Sequence, residues 1–123
     1  MTDGPMQRDD DLISAVTEWR KAQVLYFTPA WRGRPQGRHF SETLSLRRDL
    51  EAKLVEHLFD ENQLVVAYSL LTLDLMGSDA IGKLPKTLLE RREKVTTRAG
   101  SFSETFELGA LASHIQKRWL TKK

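Results

Sequence analysis

Cysteine is absent from this 123-residue chain. That removes disulfides and every metal site built on thiolates. The 7 glycines and 4 prolines are scattered. They assemble neither G-x-x-x-x-G-K-[ST] nor G-x-G-x-x-G, so nucleotide binding lacks its usual phosphate cradle. The 3 histidines, His39, His57 and His114, stand far apart, and none belongs to an H-E-x-x-H arrangement. His57 and His114 fall at or beside apolar helix faces and read as partly buried, hydrogen-bonded imidazoles. Asp9, Asp10 and Asp11 form an acidic run at a helix start, a cap rather than a cation site. Glu104 and Glu107 point to opposite faces of a strand and make no acid–base pair. With no nucleophile, base and orienter in any familiar pattern, the chain reads as non-enzymatic, without cofactor or metal.

Long apolar runs are also lacking. The longest, Leu64 to Met76, has ten apolar or tyrosine residues in thirteen and carries Asp74 inside it. It falls short of the ~20 residues that span a bilayer. The opening MTDGPMQRDDD is polar and acidic and has no signal-peptide pattern. A cytoplasmic protein without membrane contact is the expectation. No charge sign dominates either: 19 basic and 17 acidic residues leave +2, which is not the clustered basic footprint of most nucleic-acid binders.

What is present is a helical pattern. Ser69, Thr72 and Asp74 alone interrupt the apolar run, and its apolar positions occupy more than one side. A helix apolar nearly all round is buried on most sides, so 62–76 is predicted as the central core helix, capped by Asn62 and closed by Gly77. Leu12, Ala15, Val16, Trp19, Ala22 and Tyr26 predict an amphipathic helix over 10–26. The end of that segment, QVLYFT, is rich enough in β-formers to be extended instead. Leu46, Leu50, Leu54 and Leu58 recur every four residues and predict a second helix over 42–59. Pro85 suits the first position of a short helix over 85–93. Val95, Thr96 and Thr97, then Phe102, Glu104, Phe106 and Leu108 in alternation, predict a β-hairpin over 94–108. Leu108, Leu111, Ala112, Ile115 and Trp119 predict a last helix over 108–120. The expected organisation is a flexible tail over 1–8 and one mainly α domain over 9–123. A small helical bundle or stacked helical hairpins both fit, with the β-hairpin added.

The stretch Leu50–Gly77 resembles a HEAT-type helical hairpin. Leu54, Leu58, Asp60, Val65, Val66, Ala67, Leu70 and Leu73 match that spacing, while the Arg often found near the start of the second helix is absent. The resemblance covers about a quarter of the chain. It implies helices stacked in hairpins and a binding role, and it transfers no site.

The irregular segment PAWRGRPQGRHF, residues 29–40, holds the candidate site: Trp31, Arg32, Arg34, Arg38 and His39. Tryptophan and arginine are common anchors of protein interfaces. Arginines between aromatics also hold phosphates and stack on bases, and a solvated loop is the third reading. The function expected first is a protein-binding module, such as an inhibitor or immunity-type protein that neutralises a partner, with this loop or the hairpin Val95–Phe106 as its surface. The alternative is nucleic-acid binding through Arg32, Arg34 and Arg38 together with Lys117, Arg118, Lys122 and Lys123.

Overall fold

The computed structural model describes residues 4–26, 36–99 and 102–122, with side chains from Asp10 onward in the first helix and from Arg38 in the second. The chain is mainly helical with a small sheet, in the order α1 (Gly4–Lys21), β1 (Val24–Tyr26), α2 (Gln36–Leu44), α3 (Glu51–Glu56), α4 (Gln63–Met76), α5 (Lys86–Leu89), β2 (Lys94–Ala99), β3 (Phe102–Glu107) and α6 (Leu108–Lys122). Short 3-10 turns, Arg48–Leu50 and His57–Phe59, flank α3.

The core helix stands where the apolar run predicts it. Asn62 caps α4, its side chain accepting from the N–H groups of Leu64 at 2.8 Å and Val65 at 3.1 Å. Gly77 ends it in the left-handed region, φ 77°, a conformation that costs glycine nothing. Eleven of its 14 residues are buried, so neighbours must surround it. They do: α1, α2, α3, α6, β1 and β2 all pack against it. Trp19 of α1 stacks on Tyr68 with ring centroids 5.7 Å apart and planes within 5°. Two of the three polar interruptions are satisfied, one internally and one at the rim, while the buried Ser69 hydroxyl has no hydrogen-bond partner among the described residues. Thr72 donates to the Tyr68 carbonyl at 2.7 Å, and Asp74 pairs with Arg118 of α6 at 2.5 Å.

Four segments differ from the sequence expectation. First, α1 begins at Gly4 rather than at residue 10, so residues 4–8, assigned to a tail, are helical backbone. Asp11 therefore sits inside the helix, where its carboxylate receives Arg47 at 2.7 Å instead of capping. Second, α1 stops at Lys21 and Val24–Tyr26 is a strand. The β-formers prevail because a sheet partner is available. Third, the helix predicted over 42–59 is two helices. The chain enters α2 at Gln36, inside the segment expected to be irregular, and leaves it after Leu44. Ser45 donates its hydroxyl to the Glu42 carbonyl at 2.7 Å, and Leu46 is left 84% exposed. Leu44, not Leu46, is the inward residue. In the fourth segment, α5 is only four residues long and Pro85 stands at its N-cap rather than its first turn.

The hairpin is present, but it is part of a larger unit. β1 runs parallel to β2, with Val24 beside Thr96 and Tyr26 beside Arg98. β2 and β3 are antiparallel, with Lys94 opposite Glu107 and Ala99 opposite Phe102. The order is β1-β2-β3. Leu25, Val95 and Thr97 are buried on the face that meets the helices, while Lys94, Arg98, Ser103 and Thr105 are exposed on the other. β2 alternates as a strand with one solvated face does, whereas β3 is exposed on both faces from Phe102 to Thr105.

Two ties meet at the turn before α4, one from α1 and one from the segment between α5 and β2. Asp60, before α4, accepts from Arg20 at 2.9 and 2.6 Å and from the Asn62 N–H at 2.8 Å. Burial opposes its charge, yet Arg20 and the Asn62 N–H outweigh it and hold this carboxyl below its ordinary value. Arg91, after α5, donates to the Asp60 carbonyl at 2.7 Å and the Glu61 carbonyl at 2.9 Å. At the start of α6, the Gly109 N–H donates to the Arg91 carbonyl at 2.8 Å. A Cβ there would lie 2.2 Å from the Leu89 carbonyl oxygen and 2.7 Å from its carbon. Backbone cannot swing aside as a side-chain end can. Gly109→Ala is therefore expected to cost about 1–3 kcal/mol, read as a lower urea midpoint at unchanged slope.

Candidate functional site

Of the residues singled out from sequence, the structure describes Arg38 and His39. Trp31, Arg32 and Arg34 lie outside the described residues. His39 is exposed on α2, its ring 6.3 Å from that of Phe40. Arg38 turns inward and is only 7% exposed. Its Nε donates to Glu42 at 2.9 Å, and another guanidinium nitrogen reaches the Tyr26 carbonyl at 3.5 Å. Arg38 is thus an internal tie rather than a surface contact. At the other end of the proposed basic surface, Arg118 already holds Asp74. His57 is half-buried with Nδ1 3.9 Å from the Asp60 carboxylate, while His114, expected to be partly buried, is exposed.

What these inward contacts accomplish is edge protection. A strand at the rim of a sheet carries unpaired N–H and C=O groups that can template another chain. At β1 three of them are occupied. The Tyr68 hydroxyl donates to the Val24 carbonyl at 2.7 Å and accepts from the Tyr26 N–H at 3.3 Å. Arg38 takes the Tyr26 carbonyl. Val24 and Tyr26 share a side of the strand, so these two side chains cover the outer edge of β1. Burial pushes the Tyr68 phenol up to about 12, partly offset by the Tyr26 N–H.

The β3 edge is different. The Leu108 N–H donates to the Glu93 carbonyl at 2.7 Å, which makes 93 and 108 a hydrogen-bonded pair in the same register as the ladder. Hydrogen-bonded and non-hydrogen-bonded pairs alternate in an antiparallel ribbon. Val95–Phe106, Thr97–Glu104 and Ala99–Phe102 are therefore the bonded pairs. Ser103 and Thr105 aim their backbone groups away from β2. The close approach of the Thr96 and Thr105 hydroxyls, 3.1 Å, agrees with a non-bonded pair, whose side chains stand nearer. Ser103, Glu104 and Thr105 are exposed, and no strand among the described residues follows β3 in the sheet.

Beside this edge the helix-facing side of the sheet opens. Val95 and Phe106 pack into the core, but beyond them Thr97, Ala99, Phe102, Glu104, Phe106 and His114 line a groove of about 380 Å³. Phe102 is 81% exposed there. A second groove, about 310 Å³, runs between α1 and α3 over Leu12, Ile13 and Val16, rimmed by Lys53, Glu56 and His57. Among the described residues no three of His, Asp and Glu gather closely enough to hold a metal ion. No helix among them is long and apolar enough to cross a membrane.

Sequence reading pointed to the hairpin but missed Tyr68, which it counted as core, and the difference between the two edges. The available signal was QVLYFT: a short run of β-formers after an amphipathic helix needs a sheet partner. No protein-family model, curated protein or solved structure matches the chain.

Proposed function

We propose that the chain is a protein-binding module that adds an extended segment of its partner to the sheet at β3. The observation that carries this reading is the contrast between the edges: Tyr68 and Arg38 close β1, whereas Ser103 and Thr105 offer their N–H and C=O groups to solvent. Strand addition uses such groups for affinity and adjacent pockets for selection, and the Phe102 groove supplies the pocket. Inhibition of the captured protein, as an immunity-type protein exerts it, is one outcome of this binding. A HEAT-like stacking of Leu50–Gly77 would place the partner on helices instead, and nothing in the packing of α3 on α4 favours that surface over β3. Nucleic-acid binding would call on Arg38 and Arg118, which already serve Glu42 and Asp74.

Proline tests the proposal cleanly. At an edge position whose N–H points outward, proline removes a donor without breaking the ladder. Thr105→Pro is expected to keep the far-ultraviolet circular dichroism of the parent and to lose partner affinity roughly tenfold or more. Thr105→Ala, which retains the N–H, keeps it. Affinity capture with the tagged chain, followed by titration of the recovered partner, measures both. A partner that binds Thr105→Pro as tightly as the parent places the interface elsewhere.

A further inference from the structure

We infer that the segment accepted at β3 carries an arginine or lysine with apolar residues two positions to either side, and that it belongs to a different protein rather than to a second copy of this chain. The inference rests on β3 being the docking edge.

On the groove side β3 displays Phe102, Glu104 and Phe106 in sequence. Phe102 is 81% exposed, Phe106 is half-buried, and Glu104 between them is exposed. Directly across the ladder from Glu104 stands Thr97, which has no charge. Among the described residues Glu104 has no ion-pair partner. The strip is thus apolar, acidic, apolar, with steps of about 6.8 Å along the strand. An added strand has the same period, and its side chains on this face fall directly opposite these three. A basic residue opposite Glu104 meets the carboxylate, and its aliphatic stem lies along the groove wall. Apolar residues at the flanking positions cover Phe102 and Phe106. Small or β-branched polar residues between them suit Ser103 and Thr105 on the solvated face.

Self-pairing lacks this complementarity. Two copies joined edge to edge about a twofold axis run antiparallel, with the same faces of both sheets on one side. The register that sets Phe102 against the copy's Phe106 sets Glu104 against the copy's Glu104, and like charges directly opposite are unfavourable. Sliding by two residues in either direction relieves the repulsion only by setting Glu104 against one of the two phenylalanines and leaving the other without a neighbour on this strip.

The test uses the full chain labelled with 15N and two end-blocked peptides. Each has threonine and isoleucine alternating about a central residue, with isoleucine two positions to either side. The central residue is arginine in one and glutamate in the other. The amide signals of Ser103 and Thr105 are expected to move with the arginine peptide, with affinity about tenfold tighter than for the glutamate peptide. Glu104→Lys, at an exposed position, is expected to reverse the order while the α4 signals stay in place. Equal affinities at these amides overturn the basic preference and leave strand addition standing. No movement of Ser103 and Thr105 with either peptide removes strand addition as well. A concentration-dependent dimer in sedimentation that shifts the same amides assigns the edge to a second copy and overturns the inference.

Discussion

Leu70→Asp is expected to unfold the protein. Leu70 is fully buried at the middle of α4, and α4 is covered by α1, α2, α3, α6 and the sheet. The substitution removes about 2–3 kcal/mol of apolar burial. It also asks a carboxylate to ionise among apolar side chains or to take up a proton, at several kcal/mol more. A domain of this size has a net stability of about 5–15 kcal/mol, so the sum is comparable to the whole. Circular dichroism should lose its helical signal and the thermal transition its cooperativity. Leu75→Asp is the control on the same helix. Leu75 is 41% exposed, so its replacement should leave a cooperative transition. A folded Leu70→Asp would mean that α4 is not enclosed on that side.

The reason α4 was legible in the sequence is that its burial is a local property. Ten apolar or tyrosine residues in the thirteen from Leu64 to Met76 admit no solvated face, and Asn62 and Gly77 mark its ends through their own chemistry. The β2–β3 hairpin was legible for a similar reason, since alternation from Phe102 to Leu108 and a short turn act within a few residues. What failed was everything decided at a distance. The four-residue leucine repeat runs on to Leu46, but the chain turns after Leu44, and Arg47 is drawn to Asp11, 36 residues earlier. Neither glycine nor proline marks that break. β1 pairs with a strand some 70 residues later, and no short-range pattern encodes a parallel partner.

The inward turn of Arg38 was hidden for the same reason. Arg38 sits among residues that look like a basic loop, yet its guanidinium is aimed at the Tyr26 carbonyl, a group that needs a donor only because β1 is an edge. Which edge is closed and which is open follows from the assembled sheet. No residue of β3 announces by its type that it lacks a neighbour. Phe102 came nearest to doing so: an aromatic in an alternating strand is expected to be covered, and here it is not.

Tyr68→Phe is expected to show that the closure of β1 is worth about 2–4 kcal/mol, since it orphans both the Val24 carbonyl and the Tyr26 N–H. The ring remains and keeps its stack with Trp19, so the loss isolates the hydroxyl. Its pH dependence gives a second reading. The phenol is neutral when protonated, and its folded value, about 12, lies above the ordinary 10. Between those values the unfolded chain gives up the proton and the folded chain keeps it. The stability linked to this group is thus complete below pH 10 and is lost as pH rises through 12, by about 2–3 kcal/mol. Urea titrations of parent and variant across pH 9–12 should converge, because the variant has no phenol at this position. Curves that stay parallel would mean that Tyr68 ionises as easily folded as unfolded, and that its hydroxyl is not enclosed against β1. Opening this edge also gives the sheet two free sides. At equal concentration the variant should therefore associate more than the parent in light scattering, and the difference between the edges should narrow to the Tyr26 carbonyl that Arg38 still holds.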